Sequence, residues 1–171
     1  MSRIPVFRAG GQLLKVRFMM LLSLATLVGC SVAGVNLVQH FGQAPGDGGV
    51  LKPREERIAM GAFVFSLGAV FAGGMWLYGK SYVASIDFDE REQKLYLNTV
   101  EFFGTKRHVI ELSNVLGSDE YAGQFDLTTF DPSSISVNAP WKSVRLGGWK
   151  WSVIIDAQGE ICHQELFSKL F

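Results

Sequence analysis

The chain has 171 residues, 16 Lys+Arg against 16 Asp+Glu, 48% hydrophobic residues, 19 Gly and two Cys. The length allows one ordinary domain, the apolar content excludes a disordered chain, two widely separated cysteines exclude a disulfide framework, and zero net charge excludes general affinity for nucleic acid. The charges are unevenly placed, with none between Arg17 and Asp47 and none between Arg57 and Lys80, which argues against a wholly soluble globule.

In chain order, residues 1–17 form a basic N-terminal segment with Arg3, Arg8, Lys15 and Arg17 and no acid. Residues 18–39 follow as an uncharged, mainly apolar run that as a helix would rise about 33 Å, enough to cross a hydrocarbon core of about 30 Å. A flexible loop, 40–57, carries a Gly- and Pro-containing stretch that can bury little. A second uncharged run, 58–79, ends with Trp76 and Tyr78, whose amphipathic rings suit the membrane interface as anchors. Both runs read as transmembrane helices, since a buried helix of a soluble core carries a polar stripe and these do not. Leu27-Val28-Gly29-Cys30 resembles a bacterial lipoprotein cleavage box, but the apolar run continues past Cys30 where a lipidated protein would begin a polar tether.

The acid-free start places the N-terminus on the inner side, and two spans bring the rest of the chain back to it. In the first span Thr26, Gly29, Ala33 and Asn36 recur at helical spacing, and in the second Ala62, Ser66, Ala69 and Gly73 do the same. Each set makes a small-residue stripe, and close backbone approach along such stripes holds helices together in lipid. The stripes are expected either to pack the hairpin on itself or to receive a foreign helix, with Gly34, Gly68 and Gly74 as additional small positions. Neither span holds a carboxylate, Lys, Arg or His, which argues against an ion or proton path.

Residues 81–171 change to two-residue alternation. Strands are predicted at 82–88, 94–99, 107–112, 135–137, 143–146 and 149–155, with a short amphipathic helix over 164–171. The fold class is an integral membrane α+β protein: a two-helix transmembrane hairpin followed by a small antiparallel β-sheet domain with a short C-terminal helix.

No constellation has the form that catalysis or metal binding requires. Cys162-His163 is an isolated pair of candidate ligands, His108 has no nucleophile elbow beside it, and Gly147-Gly148 lacks the helix start of a phosphate cradle and instead suits a hairpin turn. Asp87, Asp89, Glu90 and Glu92 lack calcium-loop spacing and read as a solvated turn. No catalytic, cofactor-binding or metal-binding residue is assigned, and no cofactor is expected. Aromatic residues do gather in or beside loops: Phe102, Phe103, Tyr121, Phe125, Phe130, Trp141, Trp149 and Trp151. After residue 79 there are nine Lys+Arg and 13 Asp+Glu, an acidic balance suited to protein contacts rather than to an anionic membrane surface.

The second span ending Trp76-Leu77-Tyr78-Gly79-Lys80-Ser81, the stretch Leu95-Tyr96-Leu97-Asn98-Thr99, the Phe102-Phe103-Gly104 turn, His108 to Val115, Ala139-Pro140, and Ile154 to Gly159 leading to Leu166-Phe167 follow one another in a recognisable order. In that order the chain resembles the mitochondrial inner-membrane family of transmembrane proteins 223, 186 and 70, most closely the first, over about nine-tenths of its length. The resemblance implies a hairpin in the mitochondrial inner membrane with the N-terminus and the C-terminal domain in the matrix. It implies no enzyme, but an assembly factor or accessory subunit of a respiratory-chain complex: cytochrome c oxidase as first choice, then complex I or ATP synthase. The implied partners are membrane lipid, respiratory-complex subunits or assembly intermediates, and the mitochondrial ribosome, with no nucleic acid. The alternatives are a membrane-tethered lipid- or peptide-binding module, and a bacterial inner-membrane protein of the same architecture with both termini cytoplasmic.

Overall fold

The computed structural model describes residues 3–43, 46, 48–121 and 140–171. The elements run β1 (Ile4–Arg8), α1 (Gly11–His40), α2 (Arg54–Ser81), β2 (Val83–Asp89), β3 (Lys94–Val100), β4 (Thr105–Glu111), β5 (Val115–Tyr121), β6 (Trp141–Leu146), β7 (Val153–Asp156), β8 (Glu160–Ile161) and α3 (Gln164–Leu170). This is the expected pair of long apolar helices followed by antiparallel sheet and a short helix. The chain divides into a sheet unit, 1–17 with 78–171, and a helix unit, 18–77.

The basic segment 1–17 does not stand apart from the sheet. Its residues Ile4–Arg8 form β1, inserted in a five-stranded sheet of order β4-β3-β2-β1-β8. β1 runs antiparallel to both β2 and β8, and its register shifts between Pro5 and Phe7. Pro5 has no N–H to offer a ladder, and a bulge is where a strand tolerates that loss. Two of the four N-terminal cations meet the strands β2 and β3, and a third, Arg17, donates to the Gly104 carbonyl at 3.4 Å. Arg8 pairs with Asp87 and also donates to the Ile86 carbonyl, while the Arg3 guanidinium lies 3.8 Å from the centre of the Tyr96 ring.

β2 and β3 alternate strictly enough to bury one side: Ile86, Phe88, Leu95 and Leu97 face the core. Burying each such side chain stabilises the fold by about 1.5–3 kcal/mol. A second sheet, β5-β6-β7, adds Val144, Leu146, Val153 and Ile155 to the core. The two sheets meet at Tyr82, which bridges in parallel to Ile154 and whose hydroxyl donates to Asp156 at 3.1 Å. Burial, reinforced by the Asp156 carboxylate, pushes the Tyr82 phenol well above its ordinary pKa. The stretch Trp149 to Ser152, expected to open the sixth strand, is a turn instead. Gly148 adopts φ +79°, and the Trp149 N–H donates to the Leu146 carbonyl at 3.2 Å. The predicted strand at 135–137 lies outside the described residues.

In the helix unit, α1 begins ahead of the expected span at 18, and α2 extends past 58–79 at both ends. Pro53 precedes α2, and Glu55 and Glu56 complement its N-terminal dipole. The Lys52 N–H donates to the Phe41 carbonyl at 3.0 Å, and Arg57 donates to the Val38 carbonyl at 2.8 Å, so the ends of the connecting loop are fastened together. Hydroxyls within the spans turn back on their own helices: Ser23 to Met20, Thr26 to Leu22, Ser31 to Leu27 and Ser66 to Ala62. In hydrocarbon no water would satisfy them, and a main-chain carbonyl is the nearest acceptor.

The helices touch through glycine. A Cβ added at Gly34 would stand 2.8 Å from the Gly61 carbonyl oxygen, one at Gly61 would stand 2.7 Å from the Gly34 oxygen, and one at Gly68 would meet Cys30 at 2.8 Å. The contact is therefore made by main chain, which a larger residue would prise apart.

Two predictions follow from this packing. Under mild oxidation Gly68→Cys is expected to form an intramolecular bridge to Cys30, after the helices part by about 1 Å to reach the usual Cβ separation. Adding Gly34→Leu should lower its yield several-fold on a non-reducing gel. The second concerns His108, whose Nε2 lies 3.1 Å from Thr99 Oγ1 and whose ring meets Trp149 edge-on at 4.7 Å. Burial and the Lys106 charge hold its pKa below the ordinary 6.5, against a smaller opposing pull from Glu101. The unfolded chain then binds the proton more readily, so this contribution to stability is fully present above pH 6.5 and is lost as pH falls through the depressed folded value. Denaturant midpoints of the sheet unit should fall over that interval in the natural chain and less so in His108→Gln.

Candidate functional site

The eight stripe residues do not form the seam between the helices. Gly29 and Gly73 have nothing within 4 Å of where a Cβ would sit. Ala33, Asn36 and Ser66 are exposed, and Thr26 and Ala69 are half-buried. The seam runs instead through Gly34, Gly61 and Gly68, with Leu27, Cys30 and Val38 against them. Gly34 and Gly68 are two of the three additional small positions, and the third, Gly74, has open space around it. Spacing does not separate the sets: Cys30 and Gly34 lie four apart, as do Gly68 and Ala72, but so do Gly29 and Ala33.

One stripe residue, Ala62, lies at an apolar notch of about 460 Å³ on the helix unit. Ser31, Gly34, Val35, Val38 and Gln39 of α1 and Ile58, Gly61 and Phe65 of α2 complete it. The glycines make the notch, because two side chains are missing where the helices are closest. Of the two expected anchors, Trp76 is exposed, while the Tyr78 ring lies 5.6 Å from that of Tyr82 in the sheet unit.

The sheet unit carries a groove of about 710 Å³ lined by β1, β5, β6, β7, β8 and α3. Its apolar walls are Phe7, Ile155, Ile161, Phe167, Phe171 and the stacked pair Tyr121 and Trp141, whose ring centres are 4.5 Å apart. Lys142 crosses the floor, 2.7 Å from Glu120 and 5.3 Å from the centre of the Phe167 ring. Its ammonium donates to the Glu120 carboxylate and holds that group below the ordinary carboxylate range. Lys142 also donates to the Phe171 main-chain oxygen at 3.3 Å, which ties β6 to the end of α3. The groove is thus an apolar trough whose cation already has an anion beside it. Of the aromatic residues noted in the sequence, Tyr121 and Trp141 line it, and Phe125 and Phe130 lie outside the described residues.

The groups that invited chemical readings have structural partners. His163 caps α3, its Nδ1 accepting from the Leu166 N–H at 3.4 Å. Asp89 accepts from the N–H groups of Arg91 and Glu92, Asp87 pairs with Arg8, and Glu92 pairs with Lys94 at 3.1 Å, so the acidic cluster is a folded turn. Among the described residues no three His, Cys, Asp or Glu side chains gather as a metal site would require.

Two apolar helices of spanning length, a small-residue seam between them and a mixed antiparallel unit built from both flanks are the features to set beside known proteins. A search of curated proteins finds no match. The family model of the TMEM70/TMEM186/TMEM223 proteins matches residues 7–171. That family consists of non-enzymatic membrane proteins and is associated with the assembly of mitochondrial complexes. The match takes in β1 from Phe7 and continues through both helices, both sheets and α3, so the chain belongs to the TMEM70/TMEM186/TMEM223 protein family.

Proposed function

We propose that the protein is a non-catalytic scaffold of the mitochondrial inner membrane that helps to build or complete a respiratory-chain complex. Its hairpin holds a hydrophobic subunit in the bilayer, and its sheet unit, in the matrix, meets soluble partners. The observation that carries this reading is that the hairpin closes on Gly34, Gly61 and Gly68 and leaves a second set of small residues unused on its outer surface. Gly29 and Gly73 offer open backbone there, and the Asn36 carboxamide is exposed on the same helix as Gly29. A partner helix would find close main-chain approach at the glycines and a hydrogen-bonding group at Asn36, the two sources of helix association in lipid.

Family membership supports the complex-assembly role. Cytochrome c oxidase is the first client, with complex I and ATP synthase next. The pairing of β1 with β2 supports a topology with both flanks of the hairpin in one compartment, and the cations Lys15 and Arg17 ahead of the first span favour the matrix side. A second reading, a membrane-tethered binding module for a peptide or lipid, draws on the apolar groove between Phe7 and Trp141.

Protease treatment of mitochondria with the outer membrane opened should leave residues 81–171 protected and should cut only within 40–57. Cleavage of the sheet unit would reverse the topology. Affinity capture from detergent extracts should recover respiratory-complex subunits. Gly29→Leu or Gly73→Leu should lower that recovery several-fold while leaving the Cys30 to Gly68→Cys cross-link intact. If both variants capture as much as the natural chain, the outer stripes are not the contact. If the natural chain captures no complex and its loss leaves all respiratory complexes at normal levels, the scaffold reading fails.

A further inference from the structure

The acidic balance of the sheet unit conceals a division of charge along its strands. The β3–β4 turn, Glu101 to Gly104, lies at the end where the chain passes to and from the helices. The Val100 N–H donates to the carbonyl of Tyr82, which directly follows α2, and Arg17 donates to the Gly104 carbonyl at 3.4 Å. Ile154 bridges to Tyr82 in parallel, so the residues before Ile154 lie toward the end from which the chain arrives at Tyr82. This end therefore gathers Arg17, Lys106, Arg107 and Lys150 around Glu101, with Asp119 level with Ile154 and Glu160 level with Arg107 across the ladders. The far turn holds Asp89, Glu90 and Glu92 with Arg91 among them, and Glu111 lies opposite Lys94 beside it.

The same end carries the least covered aromatic rings among the described residues of the unit: Phe103 is 86% exposed and Trp151 66%. A soluble domain gains nothing by holding two such rings in water beside cations. An interfacial zone suits both, since Trp settles at headgroup level, Phe enters the headgroup/acyl boundary, and Lys or Arg are drawn to an anionic leaflet.

We infer that this end of the sheet unit is a lipid-headgroup surface, with Phe103 and Trp151 entering the boundary of the bilayer that the helices span and Arg17, Lys106, Arg107 and Lys150 receiving anionic phospholipid. The occupant follows from charge complementarity and from continuity of chain: Arg17, whose guanidinium holds the β3–β4 turn, immediately precedes the first apolar run. The inference rests on the spanning reading of the hairpin, so its test must report on each separately.

The full chain would be placed in bilayer discs of phosphatidylcholine with or without phosphatidylglycerol, with acyl chains brominated or not. Trp151 emission is read as the difference between the natural chain and Trp151→Phe, and Trp76 emission as the difference from Trp76→Phe. Brominated lipid should quench the Trp151 emission, as expected for a ring at the interface. The loss should be greater with phosphatidylglycerol, and Lys106→Glu with Lys150→Glu should abolish that increase without changing the far-ultraviolet circular dichroism. Quenching of Trp76 with none of Trp151 overturns the inference while the hairpin reading stands. A Trp151 insensitive to brominated lipid yet shielded from aqueous iodide means that protein covers the rim, which also overturns it. Quenching equal in both lipids overturns the anionic part. If neither tryptophan is quenched, the spanning reading itself fails.

Discussion

The antiparallel ladder between β1 and its neighbours is the interaction on which the rest of the architecture depends. The short strand ahead of the first helix pairs with β2, which follows the second helix, and with β8 near the end of the chain. Phe7 and Val6 are fully buried in consequence, and Phe7 forms one wall of the groove. Gly159 is required at the β7–β8 turn because a Cβ there would collide with the Phe7 ring. The hairpin is therefore an excursion from the middle of one domain rather than an anchor attached to its end.

Within the excursion a different rule governs. Lipid supplies neither a hydrophobic drive between helices nor water for polar groups, so contact depends on missing side chains and each hydroxyl turns to its own helix. Gly34 and Gly61 bring main chain against main chain, and Arg57 and Lys52 secure the loop end. The outward residues are then free of any duty to the hairpin, which is why the proposed partner contact and the internal seam can be altered independently.

Much of this was legible in the sequence. Two uncharged runs of spanning length, the change to two-residue alternation near Tyr82, and the amphipathic tail from Gln164 each reflect a strong local pattern. β1 was not legible: Ile4-Pro5-Val6-Phe7-Arg8 is short, contains proline and sits among cations, and its pairing is settled only by strands far along the chain. Trp149-Lys150-Trp151 mimics strand alternation, yet Gly148 turns the chain there. The seam was not legible for another reason. Small residues occur on several faces of both helices, and in a span without a polar stripe no local signal says which face meets the neighbour; only the register of Gly34 against Gly61 decides it. Net charge likewise averaged away the separation of cations and acids between the two ends of the sheet unit.

The position of β1 also constrains how the molecule can be made. Its partners are synthesised after both helices, so the nascent strand must wait, unpaired, until the remainder of the chain has emerged. Insertion of an antiparallel helix pair shortens that wait in space though not in time, because it returns the polypeptide to its starting point and removes most of the entropy of closing so long a loop. The bilayer thereby acts as a template for the sheet, and a chain whose first residues were stranded across the membrane would lack an inner strand of its fold.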